Sequence, residues 1–242
     1  MDALLCKCAN RNRLSDAQVD QLAATLAQQG LNVHVVDDLC AALEKRSPAV
    51  MEMLRGDSIS LVAACHPRAV RWLCAQADID LTPEVRLVDA LAMDGEKADE
   101  PSSSPAVLPA PNQDSWHPVI DRDRCVDCGK CLDFCLFDVY ERAADGTVRV
   151  ANPANCKNNC PACARICPPV AIIFPKCPDE AINGGELTDE QLKAANVRVD
   201  PAMFGRGDVY AALMARRGKK KGAKSLFKPG VLPESEKKDE KT

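Results

Sequence analysis

The chain reads as two folds in succession: an α/β domain built on a mostly parallel sheet, then a small α+β domain organised by cysteines. Three observations predict this. Short apolar runs alternate with helical patterns over residues 1–93, and that alternation belongs to a parallel sheet covered by helices. A stretch rich in Pro, Ser and charge then interrupts the composition. Beyond it, residues 116–185 hold nine of the fourteen cysteines.

The first strand is the apolar run Ala3-Leu4-Leu5-Cys6. "LSDAQVDQLAATLAQQG" follows. Ser15 is a good N-cap, and Gln18 three residues on completes a capping box. Val19, Leu22, Ala23 and Leu26 keep helical spacing, and Gly30 is a natural stop. Val33 to Val36 is short and β-branched, which predicts a second strand. Leu39 to Lys45 is predicted helical, interrupted at Ser47-Pro48. "SISLVAAC" is apolar over most of its length, as a strand covered on both faces should be. Arg68 to Ala77 follows as a helix, and Val85 to Val88 as a fourth strand.

Residues 94–115, "DGEKADEPSSSPAVLPAPNQDS", bury too little apolar surface to offset ordering entropy and are predicted to be a linker. Within residues 116–185, "VYERAADGTVRV" predicts a hairpin turning at Asp145-Gly146. Residues 186–215 are predicted to be a helical extension, with helices starting near Thr188 and Asp208. From Arg216 onward ten Lys or Arg face four Asp or Glu, a net of +6 in a chain whose total is −4. Residues 216–242 are therefore predicted to be a basic, disordered tail. The remainder carries −10, which gives no global basic character to suggest nucleic acid.

No signal-peptide pattern opens the chain, and no run of about 18 apolar residues predicts a membrane span. Fourteen cysteines without a secretory signal point to a reducing compartment, here the cytoplasm, and to metal rather than disulfides.

The cysteine spacing is the strongest signal. Cys125-x2-Cys128-x2-Cys131-x3-Cys135 is an iron–sulfur ligand run, and Cys156-x3-Cys160-x2-Cys163-x3-Cys167-Pro168 is a second. A cubane cluster presents four iron corners, each needing one thiolate. Three cysteines at two-residue gaps wrap three corners, and a fourth, three residues on, points to the other cluster. Gly129 suits a loop that needs permissive backbone angles. Zinc is the competing reading, but zinc sites pair CxxC knuckles across longer separations.

Residues 117 to 183 resemble the bacterial two-cluster ferredoxins. The resemblance implies an α+β ferredoxin-like domain with two [4Fe–4S] clusters. One would be held by Cys125, Cys128, Cys131 and Cys167, the other by Cys156, Cys160, Cys163 and Cys135. Two features depart from the family: the second run opens "CKNNC", with three intervening residues, and Cys135 is followed by Leu136 where proline is usual. Cys177, in "FPKCPDEAI", reads as an idle buried thiol.

Five cysteines remain. Cys6 and Cys8 end the first predicted strand, Cys40 lies past the second, and Cys65 ends the third. The carboxyl ends of parallel strands share one edge, where ligands of open α/β sheets bind. These four are therefore predicted to converge, on a metal or as buried small residues. The segment also resembles the N-terminal domain of the heterodisulfide reductase A subunit, through Cys6-Lys7-Cys8, Cys40 and "AACHPR" at 63–68. That resemblance implies a third [4Fe–4S] cluster on Cys6, Cys8, Cys40 and Cys65; zinc or no metal are the alternatives. The subunit's flavin domain has no counterpart, since "FGRGDV" lacks the third glycine and the preceding strand. Cys74 reads as a core thiol, His34 and His66 as structural, and Trp72 and Trp116 as packing residues.

These features predict an electron-transfer protein of low potential, not a catalyst on its own. It would deliver electrons to a redox partner such as a flavoprotein or a molybdenum or tungsten oxidoreductase. The alternatives are an iron–sulfur redox sensor, or a disulfide-reducing subunit using its N-terminal cysteines.

Overall fold

The computed structural model describes residues 1–93, 105–111, 113–186, 188 and 190. They all fall within one structural unit, Met1–Val197. The predicted helical extension lies outside the described residues apart from 186, 188 and 190, and the basic tail lies wholly outside them.

The N-terminal lobe is a five-stranded, all-parallel sheet. Its strands are β1 (Asp2–Cys6), β2 (Asn32–Val36), β3 (Ile59–Ala64), β4 (Arg86–Asp89) and β5 (Ala106–Leu108), in the order β4-β3-β1-β2-β5. β1 and β3 are buried almost end to end, as expected where helices cover both faces. On one face lies α1 (Asp16–Gln28), started by Ser15 in the predicted capping box with Gln18. Its Val19, Leu22 and Leu26 pack on Leu5, Val35 and Leu61. On the other face lie α2 (Leu39–Glu44), α3 (Pro48–Arg55) and α4 (Pro67–Gln76). Ser47-Pro48 interrupts the helical pattern in sequence, yet it opens α3. The proline is at the first turn of α3, where its missing N–H costs nothing.

The linker expectation is corrected over its described part. Ala106–Leu108 forms the edge strand β5, paired in parallel with His34–Val36 of β2. Ser115 is buried and so are its neighbours Trp116 and His117. Flanking prolines are tolerated because an edge strand leaves one side of its ladder unpaired.

The cysteine-rich lobe is built from two small antiparallel ribbons and two short helices. β6 (Val119–Ile120) pairs with β9 (Ile172–Ile173). β7 (Tyr140–Arg142) pairs with β8 (Val148–Val150) around the predicted Asp145-Gly146 turn, with Gly146 at φ 88°. The helices are α5 (Lys130–Phe134) and α6 (Ala162–Arg165).

The lobes share a face. Val119 and Ile173 pack into the same core as Val70, Leu73 and Cys74 of α4. Arg68 reaches across to the buried carboxylate of Asp121 at 2.6 Å and to the carbonyl of Val170 at 2.9 Å. Among the described residues no helix is long and apolar enough to cross a membrane.

Candidate metal centres

In the cysteine-rich lobe the two runs interleave. Cys125, Cys128 and Cys131 line one small cleft together with Cys167, which comes from the other run. Cys163, Cys160 and Cys135 lie near enough to Cys156 to push its thiol up, so the fourth member of that group comes from the first run. Each group thus takes three cysteines from one loop and one from the other. Gly129 turns the first loop at φ 80°, as its position in "CVDCGKC" required, and caps the N-terminus of α5.

Donors to sulfur surround both groups. The Tyr140 hydroxyl lies 3.1 Å from the Cys163 Sγ. The Ala171 N–H donates to Cys167 Sγ at 3.3 Å. The backbone N–H of Asp127 serves Cys125, that of Leu132 serves Cys131 and that of Ala164 serves Cys163. Val170 sits at φ 51°, in the left-handed region that a β-branched residue occupies at a cost of about 1–3 kcal/mol. That conformation directs the Ala171 N–H at Cys167 and the Val170 carbonyl at Arg68.

Burial, then the neighbouring thiols, push Cys156 up to about 12. Cys131 also rises to about 12, with burial as the main cause, and Cys163 to about 11 for the same reason. Without metal these groups are protonated at neutral pH, so loading must release protons. A cubane takes one thiolate at each of four corners, and the two groups of four cysteines suit it in number.

The N-terminal cysteines gather at the carboxyl edge of the sheet. The chain runs from β1 to β2 on one side and returns to β3 on the other, so the topological switch point lies between β1 and β3. Cys6 ends β1, Cys8 follows it at φ 51°, and Cys65 follows β3. These three line one small cavity with Arg13 and Leu14. Cys40, in the first turn of α2, is not part of that lining and instead lines a second cavity with Trp116 and Lys176. It remains close enough to Cys65 and Cys6 for their charges to act on it. The Leu39 N–H donates to Cys6 Sγ at 3.4 Å. Burial pushes the Cys6 and Cys40 thiols well up and Cys65 to about 12.

Sequence reading missed the polar scaffold of this site. Asp38 caps α2 through the Ala41 N–H at 3.0 Å and accepts from Asn10 at 2.9 Å. It also pairs with Lys176 at 2.5 Å, and Lys176 reaches Asp114 at 3.0 Å. Asp38 is 1% and Lys176 6% exposed. Burial alone would lower the lysine, but Cys40, Asp38 and Asp114 outweigh it and raise it. The Cys40 contribution exists only when that sulfur is a thiolate, whereas the two carboxylates hold the ammonium in either state. The only available signal for Lys176 was its place beside Cys177, far from Asp38 in sequence.

Cys177 is buried in the cysteine-rich core, and its carbonyl accepts from Arg13 at 3.5 Å. Cys74 lies in the core between α4 and the sheet. His34 pairs with Asp2 at 3.8 Å and His66 with Asp89 at 3.0 Å. Trp116 stacks on Phe174 with centroids 5.3 Å apart.

Two interleaved groups of cysteines with donors directed at their sulfurs suit iron–sulfur chemistry. The comparisons with known proteins agree. The sequence family described as a 4Fe-4S dicluster domain matches residues 117–168. An uncharacterised ferredoxin of Methanocaldococcus jannaschii is 48% identical over 62 residues, which cover 25% of this chain and 42% of that relative. Ferredoxin-3 of a Nostoc species is 35% identical over 75 residues, covering 22% of this chain and 76% of the relative. A second uncharacterised ferredoxin of M. jannaschii is 32% identical over 71 residues, covering 27% and 91%. No solved structure matches the chain. The chain belongs to the ferredoxins and is an iron–sulfur electron-transfer protein carrying [4Fe–4S] chemistry in its C-terminal region.

Proposed function

We propose that the chain is a three-centre electron relay that delivers electrons at low potential to a separate oxidoreductase. Cys125, Cys128, Cys131 and Cys167 hold one [4Fe–4S] cluster, and Cys156, Cys160, Cys163 and Cys135 hold the second. Cys6, Cys8, Cys40 and Cys65 hold a third in an N-terminal domain of the heterodisulfide reductase A type. The observation that carries this reading is the gathering of three groups of cysteines, two of them interleaved and one at the switch point of the sheet. A bound cluster supplies one-electron redox chemistry.

The protein's own contribution is rigid thiolate placement, donation of N–H and O–H groups to sulfur, and exclusion of water by the flanking prolines and isoleucines. Donation to sulfur moves the potential, so Tyr140 and the Ala171 N–H tune the two ferredoxin centres. The partner we favour is a flavoprotein or a molybdenum or tungsten enzyme. The apolar side chains Val126, Phe134 and Leu136, exposed beside the cysteine loops, suit docking of such a protein. Fourteen free cysteines suit the reducing cytoplasm.

Iron and acid-labile sulfide are counted on the anaerobically reconstituted full chain and on Cys65→Ser. Three centres give about twelve irons per chain, falling to about eight in the variant. Equal counts near eight in both would sink the third centre, and zinc in place of iron throughout would sink the ferredoxin assignment. A fragment ending at residue 93 is a poor substitute, because it lacks β5 and Lys176.

A further inference from the structure

The "CKNNC" departure has a structural use. Asn159 sits at φ 60°, and its side-chain carbonyl accepts from Arg11 Nη1 at 2.9 Å. The Asn158 carbonyl accepts from Arg11 Nη2 at 3.0 Å. The same guanidinium pairs with Asp114 at 2.8 Å and lies 5.0 Å above the Trp116 ring. The Trp116 indole N–H in turn donates to the carbonyl of Cys160 at 3.4 Å. Arg11 belongs to the single 3-10 turn that starts after Cys8, and its N–H donates to the Cys8 carbonyl at 3.0 Å.

We infer that the widened gap of the second run is a receptor for the loop that carries Cys8, and that Arg11 is a positioning residue coupling iron binding at the N-terminal site to iron binding at the second run. The inference rests on the proposal that Cys6, Cys8, Cys40 and Cys65 hold a cluster. The chemistry supports a coupling rather than a mere contact. Asn158 and Asn159 lie between two ligands, Cys156 and Cys160, so iron held by those two orders the receptor. An ordered receptor engages both arms of the guanidinium, a fork that lysine cannot reproduce. The engaged fork fixes the backbone next to Cys8. Coupling between two binding sites is reciprocal, so iron at the N-terminal site steadies the second run by the same factor.

The test is a chelator challenge of the anaerobically reconstituted full chain, following iron release with time. About four irons belong to a release phase that Cys65→Ser lacks, and this phase reports the N-terminal site. Arg11→Ala is expected to speed that phase by about 10- to 100-fold, the range for outer partners of metal ligands. Arg11→Lys should not restore it. The double variant Asn158→Ala/Asn159→Ala should also speed it and add nothing to Arg11→Ala, which already removes both asparagine contacts. Cys65→Ser should speed release from the second run in the wild-type background but not in Arg11→Ala. A wild type with about twelve irons whose N-terminal phase ignores both substitutions, or responds to them additively, overturns the coupling alone. A wild type with about eight irons, unchanged by Cys65→Ser, overturns the third centre and the coupling with it. Iron content before the challenge and the circular dichroism of each variant separate these results from misfolding.

Discussion

The two lobes gather their cysteines by opposite routes. In the cysteine-rich lobe each group takes three cysteines from one short loop and a fourth from the other run, almost without help from secondary structure. In the N-terminal lobe Cys6 and Cys65 are 59 positions apart in sequence. Only the parallel pairing of β1 with β3 brings them to one edge. The first gathering is organised by loops; the second is organised by a sheet that folds around its own core. Loss of metal should therefore act very differently on the two.

The largest effect expected from this contrast is on Cys167→Ser compared with Cys65→Ser. Cys167 comes from the second run but lines the cleft of Cys125, Cys128 and Cys131. Its loss should remove about four irons and the EPR signal of that first centre, while the Cys156 centre keeps its signal. Protease resistance of the cysteine-rich lobe should fall with it, because metal binding supplies folding free energy to such small domains. Cys65→Ser should also lose about four irons, yet leave the parallel sheet folded by circular dichroism. A variant of Cys167 that loses the Cys156 signal instead would show that the runs do not interleave.

Next in size is Lys176→Met, which tests whether the lobes are one unit. Its ammonium is buried against Asp38, and removal of one partner of a buried pair costs about 3–5 kcal/mol because the other charge is left uncompensated. Asp38 keeps Asn10 and the Ala41 N–H, which places the expected loss at the lower end, about 3 kcal/mol. Anaerobic urea unfolding measures it. Asp38→Asn in the same background should recover part of the loss, since the stranded charge is then gone.

Much of this contrast was legible in the sequence, and the physics says which part. β1, α1, β2, β3, α4 and β4 were readable because periodicity, the Ser15 cap and β-branched runs are local signals. The cysteine runs were readable because their spacing encodes a loop. α3 was hidden by a proline that breaks helix interiors but suits a first turn. β5 was hidden because Ala106–Leu108 carries no strand signal of its own amid prolines; it is held by its ladder with β2. Arg11, Lys176 and Asn159 were invisible for the same reason: their partners are far away in sequence, and only the shared face of the lobes brings them together.

Third is a pH effect at the seam. His117 is buried beside Ser115 and Glu44, at 2.9 Å and 3.7 Å. Ser115 gives its one hydroxyl proton to Glu44 at 2.6 Å, so the histidine must donate its own Nδ1 proton to the serine oxygen. Burial pushes His117 down to about 4, with the Lys176 charge adding to it and Glu44 opposing. The unfolded chain therefore binds a proton that the folded one refuses between about pH 6.5 and 4, and stability falls as pH falls through that window. The loss is at most about 3 kcal/mol, at 1.36 kcal/mol per pKa unit. Urea midpoints at pH 7 and 5 measure it, and His117→Gln, which stays neutral, should flatten the difference between them.

The smallest effect bears most directly on whether the two lobes are thermodynamically separate. Ser15 caps α1, which packs on the sheet face turned away from the cysteine-rich lobe. Ser15→Ala should cost about 1 kcal/mol, the usual value of a lost N-cap. No side chain near the clusters changes, so the EPR spectrum should be unaltered. If the shared core of α4, β6 and β9 joins the lobes into one cooperative unit, the bleaching of cluster absorbance in urea will shift together with the helical signal. If only the helical signal shifts, the lobes unfold separately and the seam at Lys176 and His117 is a docking surface between two independent domains.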